Sequence, residues 1–89
     1  MPYTLLDVRS PEEFRTVALP GATHVPMGEI PTRLTEIPRT HPVVVICRLG
    51  QRSAYVANFL ATQGFSDVYD LTGGIDAYAA RVDPALPRY

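Results

Sequence analysis

Eighty-nine residues are enough for one domain with a modest core and too few for two, so a single domain over residues 1–89 is expected. Apolar residues make up 46% of the chain and charged residues 19%, a balance that excludes a disordered polymer. A net charge of -1 provides no pull toward nucleic acid or an anionic membrane, and neither is expected as a partner.

Cys47 is the single cysteine, which rules out an intramolecular disulfide and a cysteine-built zinc site. No cofactor and no metal is expected. A lone thiol fits a reducing compartment. The N-terminal residues lack a basic segment followed by a long apolar run. The longest apolar stretch, residues 43–47, is far too short to span a bilayer. A cytoplasmic location is the resulting expectation.

In chain order, residues 4–8 read as a buried strand. Ser10, Pro11, Glu12 and Glu13 then read as a helix start: a serine cap, proline at the first helical position, and acidic residues near the positive end of the dipole. Phe14 and Val17 are expected to face inward, and Asp7, Arg9 and Glu13 to form a hydrogen-bonded turn or ion pair. Residues 19–22 read as a turn and 23–25 as a short strand. Ile30, Leu34 and Ile37 recur at spacings of four and three and predict a helix over 28–37, with Pro31 tolerable only in its first turn. Residues 38–42 read as a loop. Residues 43–46 are β-branched without polar alternation, which predicts a central strand buried on both faces.

The clearest helix runs from residue 52 or 53 to 63. Val56, Phe59, Leu60 and Gln63 are expected on its inner face, Ala57 and Ala61 at close-packing positions, and Gly64 at its C-terminal end. A strand over 68–71, a Gly73-Gly74 turn, a final helix over 75–81 and a proline-rich tail over 83–89 complete the chain. His24 and His41 fall in loops with no catalytic part, and Tyr3, Tyr55, Tyr69 and Tyr78 read as packing residues. Strands alternating with helices imply an α/β fold, an open parallel sheet with helices on both faces. Ligands of such sheets bind beyond the C-terminal strand ends. Cys47 stands at such an end, ahead of the clearest helix.

The segment from Cys47 through Arg48, Leu49, Gly50, Gln51, Arg52 and Ser53 carries the chemistry. A loop running from a strand end into a helix N-terminus aims several N–H groups at one point, a cradle for an anion or a thiolate. Gly50 allows tight curvature, and Arg48 and Arg52 provide forked cationic donors. A free cysteine has a pKa of about 8.5, and such surroundings commonly lower it to roughly 3.5–7.5. Cys47 is therefore expected to be largely ionised at neutral pH. A thiolate in an anion cradle suits an anionic substrate with an electrophilic atom: sulfane sulfur, phosphate or arsenate.

Cys-Arg-x-Gly-x-Arg-Ser after a run of valine and isoleucine resembles the active-site loop of rhodanese-like domains. Three further blocks are similar to the family in the same order: residues 6–14 (LDVRSPEEF), residues 20–26 (PGATHVP) and residues 71–75 (LTGGI). The resemblance implies a five-stranded parallel sheet. Only six residues precede Asp7, so a sheet of four to five strands is expected, one strand short or completed at its edge by a partner. It further implies a sulfurtransferase with Cys47 as nucleophile and residues 48–53 as the substrate cradle. The donor would be a small anion such as thiosulfate and the acceptor cyanide or a thiol, through a Cys47 persulfide. Cys47 to Arg52 is a C-x4-R loop. The related phosphatases use C-x5-R, so the shorter count favours sulfur over phosphate. A sulfur carrier docked on a protein partner in a relay, or a non-enzymatic binding module, would present the same loop. A phosphatase or arsenate reductase is disfavoured by loop length and by the absence of a second cysteine.

Overall fold

The computed structural model describes residues 3–71 and Gly74; the predicted final helix, Tyr78, Gly73 and the tail lie outside the described residues. Four strands, β1 (Thr4–Asp7), β2 (Thr23–His24), β3 (Val43–Ile46) and β4 (Val68–Asp70), form one parallel sheet in the order β2-β1-β3-β4. Leu6 pairs with Val45 and Asp7 with Ile46 across the central pair, and Leu6 with Thr23 on the β2 side. Strand order reverses direction between β1 and β3, which makes their C-terminal ends the switch point where such sheets open a ligand crevice.

The β-branched run places β3 in the centre. Val43 and Val45 face one layer with Leu6, Val8, Val25, Ile30, Ile37, Val56, Leu60 and Phe65. Ile46 faces the other with Val17 and Leu19, flanked by Leu5, Val44 and Leu71. Each fully buried valine or isoleucine contributes about 1.5–3 kcal/mol through removal of apolar surface from water. The first layer is closed by α2 (Gln51–Thr62) and by the segment after β2; the second is closed by the chain leaving α1 (Pro11–Thr16).

Helix α1 begins as its sequence predicts, with a complete capping box. Glu13 N–H donates to Ser10 Oγ at 3.2 Å, and Ser10 N–H donates to Glu13 Oε1 at 3.1 Å. Val17 is buried and Phe14 half-buried, its ring stacked on His24 at 4.3 Å between centroids.

The helix expected over 28–37 is two short 3-10 helices, Met27–Thr32 and Leu34–Glu36. Pro31 lies inside the first and has no N–H for an i→i−4 ladder. The chain closes i→i−3 bonds instead, Arg33 N–H to the Ile30 carbonyl and Ile37 N–H to the Leu34 carbonyl. Ile30 and Ile37 still reach the core, which is why the apolar spacing resembled an α-helix. In α2 the buried stripe is Ser53, Val56 and Leu60; Gln63 and Ala61 are exposed, contrary to expectation. Tyr3, Tyr55 and Tyr69 are also exposed rather than packed: Tyr55 points away from the α2 stripe, and Tyr69 sits on the edge strand β4.

Asp7 and Arg9 carry the turn after β1, and both are fully buried. Arg9 Nε and Nη2 clamp the Asp7 carboxylate at 2.9 and 2.6 Å, and the Arg9 N–H donates to Asp7 Oδ1 at 3.0 Å. Arg9 Nη2 also donates to the Val17 carbonyl at 2.6 Å, and Nη1 to the Glu13 carbonyl at 3.4 Å. Removing one partner of a buried pair leaves the other charge uncompensated. Asp7→Ala is expected to destabilise the fold by about 3–5 kcal/mol in denaturant unfolding, with Asp7→Asn, which keeps one of the two acceptor oxygens, less damaging.

Candidate active site

Cys47 follows β3 directly and is 1% exposed. The chain turns through Arg48 and Leu49, and Gly50 takes φ 105° before α2 begins at Gln51. A side chain there would be strained, and glycine is not. The turn brings two amides onto the sulfur: Gly50 N–H donates to Cys47 Sγ at 3.0 Å and Ser53 N–H at 3.4 Å. The Leu49 N–H acts on it as well. These are the donors that a helix N-terminus leaves without intrahelical acceptors, so the sulfur is their partner.

Burial pushes the Cys47 thiol up, but the Ser53 hydroxyl and the amides of Ser53, Gly50 and Leu49 outweigh it and hold the thiol below its ordinary value. Ser53 is buried on the inner stripe of α2, which fixes its hydroxyl beside the sulfur at 3.5 Å. The same hydroxyl lies 3.1 Å from the Gly50 carbonyl, and it has one proton. In the thiol form Cys47 donates to Ser53 Oγ while the hydroxyl donates to Gly50. Ionisation reverses the first bond, and the hydroxyl turns to donate to the thiolate.

A cavity of about 160 Å³ opens over the sulfur, lined by Glu13, Cys47, Arg48, Leu49, Gln51 and Arg52. Larger organic ligands generally occupy pockets of about 300–1,000 Å³, so this one suits a small anion. Of the residues expected at the site, Gly50 and Ser53 bond the sulfur directly, while Arg48, Leu49, Gln51 and Arg52 line the cavity. The Leu49 side chain is exposed at the loop tip. Arg52 is engaged in a bidentate pair, Nη1 to Glu13 Oε1 at 2.5 Å and Nη2 to Glu13 Oε2 at 2.9 Å.

Sequence reading missed Glu13 as a site residue and treated it as an acid near the positive end of the helix dipole with a place in the Asp7–Arg9 turn. It stands in the first turn and also closes the capping box, its backbone carbonyl meets Arg9, and its carboxylate reaches across 39 residues to the loop. A usable signal existed: Glu13 and Arg52 each follow the C-terminal end of one of the two central strands. Gly74 was assigned to a turn, and it also touches the site. Its φ is +62°, its N–H donates to the Leu71 carbonyl at 2.8 Å, and a methyl group there would run into the Cys47 and Arg48 backbone. His24, which lies in β2 and not in a loop and meets the Arg9 carbonyl at 2.7 Å, and His41, which meets Thr4 Oγ1 at 3.1 Å, serve scaffold contacts.

Three outcomes are expected. Alkylation of Cys47 by iodoacetamide should titrate with a midpoint below the free thiol's value of about 8.5, and Ser53→Ala should move it upward. Because the folded pKa is depressed, the thiolate's contribution to stability is full above the unfolded thiol's pKa and vanishes as pH falls through the folded value. Stability relative to Cys47→Ser should therefore rise with pH across that window in parallel denaturant titrations. Gly74→Ala should lower the unfolding free energy by at least about 1–2 kcal/mol and slow Cys47 alkylation, because the added carbon displaces the loop backbone.

Comparison with protein-family models matches residues 2–81 to the rhodanese-like domain. A protein named sulfurtransferase from Allochromatium vinosum is 43% identical, over 84% of this chain and 70% of its own length. A chloroplastic rhodanese-like/PpiC domain-containing protein of Arabidopsis thaliana is also 43% identical, but this chain spans only 30% of its length. The crystal structure of a rhodanese-related protein from Thermoplasma volcanium superposes with a TM-score of 0.85 at 31% identity, covering 90% of this chain and 79% of that one. With the parallel sheet, the cysteine loop and a family match over nearly its whole length, the chain belongs to the rhodanese-like domain family.

Proposed function

We propose that this domain transfers sulfane sulfur through a persulfide on Cys47. The observation that carries the reading is the sulfur itself, buried at the start of α2 and held by the Gly50 and Ser53 amides. The similarity to proteins named sulfurtransferases supports a transferase at the level of the family.

With thiosulfate as donor, the Cys47 thiolate attacks the outer sulfur. A Cys47 S–S bond forms, the S–S bond of thiosulfate breaks, and its electron pair leaves on sulfite. The product carries its negative charge on the terminal persulfide sulfur. Cyanide or a thiolate then attacks that sulfur, and the Cys47 thiolate departs with the bonding pair. Neither step needs a general base, because the attacking groups are already anions. The N–H cradle holds charge in both resting states without rearrangement, which is the electrostatic advantage of a preorganised site.

A relay role, with a protein thiol as acceptor, is favoured by one observation: Leu49 at the loop tip is 54% exposed beside the cavity and could meet a partner surface. Phosphate chemistry is disfavoured by the C-x4-R count.

Treatment with thiosulfate should add about 32 Da to Cys47 in intact-protein mass spectrometry, reversed by cyanide with release of thiocyanate. Cys47→Ser should show neither event. A wild-type protein that gains no mass and yields no thiocyanate would remove thiosulfate as donor and, if organic persulfides fail too, the proposed reaction.

A further inference from the structure

Glu13 is an acid in the wall of a cavity expected to receive an anion. It is not there by loose rotamer choice. Its Oε1 accepts from Ser10 N–H in the α1 capping box, and both carboxylate oxygens hold the Arg52 guanidinium. The pair is mostly shielded, with Arg52 33% and Glu13 20% exposed, so solvent screens it incompletely. Around the cavity, Arg48 and Arg52 contribute two positive charges, and Glu13 and the Cys47 thiolate two negative ones. Among the described lining residues these charges cancel, although the loop alone reads as strongly basic.

We propose that Glu13 is a specificity-determining residue that biases the cavity against dianionic sulfur donors and toward donors carrying a single negative charge. Its carboxylate charge, set against the Arg52 guanidinium, offsets that cation in the field a small anion meets over Cys47. A donor with two charges loses more by this than a donor with one, since the lost attraction scales with donor charge. The inference rests on the sulfur-transfer reading for its substrate class, and on geometry alone for the charge effect.

The test separates the two. Cys47 is alkylated by iodoacetate, an anion, and by iodoacetamide, its neutral analogue. Both react with the thiolate, so their rate ratio reads the local field independently of thiol ionisation and of sulfur transfer. Glu13→Gln keeps an acceptor for the Ser10 cap and deletes the charge. It should raise the iodoacetate-to-iodoacetamide ratio about tenfold. The kcat/KM for thiosulfate, relative to that for the methanethiosulfonate monoanion, should rise in the same direction. A purely structural role would slow both reagents and both donors equally and leave the ratios unchanged, which overturns the proposal.

Should Glu13→Gln fold poorly, a pair of variants replaces it. Arg52→Gln should lower the ratio, and Arg52→Gln combined with Glu13→Gln should return it toward wild type, because the two deleted charges are opposite and cancel. A double variant no different from Arg52→Gln alone overturns the proposal. If the wild-type protein forms no persulfide with either donor, the sulfur-transfer reading fails, and the alkylation ratio still decides the role of Glu13.

Discussion

The fully buried Asp7–Arg9 pair organises the molecule. A guanidinium without access to water must place its charge and its donors within the protein. Arg9 does this by clamping Asp7 at the end of β1 and reaching two main-chain carbonyls, that of Glu13 within α1 and that of Val17 at its C-terminal end. Its own carbonyl meets the ring of His24 at the end of β2. One residue, through its side chain and its carbonyl, thus ties two strands to the short helix between them. Six residues of helix would be marginal alone, because nucleation costs more than so few bonds return. The capping box and Arg9 supply the difference. Once α1 is fixed, the Glu13 carboxylate is fixed, and through it Arg52 at the head of α2. An unbroken line of charge-assisted contacts runs from the sheet interior to the cavity rim.

The sulfur occupies the other end of that line. Burial opposes its ionisation, and three amides with one hydroxyl favour it; the second group prevails. The balance depends on backbone shape more than on side-chain charge. Gly50 in the left-handed region turns the loop tightly enough for its own N–H and that of Ser53 to converge on one atom. The two arginines that make the sequence look basic are arranged around the cavity, with one already held by an acid.

Much of this was legible in the sequence, and the exceptions share a cause. β3 was readable to the residue because three valines and an isoleucine have no other comfortable place. The start of α1 was readable because capping is local chemistry within four residues. The Cys47 loop was readable because strand end, glycine and helix start lie consecutively. The segment over 28–37 misled because Ile30, Leu34 and Ile37 bury alike in either helix type, while Pro31 decides the hydrogen-bond pattern. Gln63 was placed on the inner face by period alone, but α2 ends at Thr62 and its stripe stops at Leu60. The Glu13–Arg52 pair was missed because it depends on which strands are neighbours, and its one signal was that both residues follow central-strand ends. No local pattern encodes that the loops after β1 and β3 share one rim.

Gly74 sets an order of assembly. Its backbone lies against the carbonyls of Cys47 and Arg48 so closely that no side chain fits. During synthesis the chain emerges from its N-terminus, and β1, β3 and α2 are all complete before this residue is. A nascent chain shorter than that holds its thiol without the wall that confines the loop. The reactive centre is therefore among the last parts of the domain to take its final shape, although its cysteine is made halfway along.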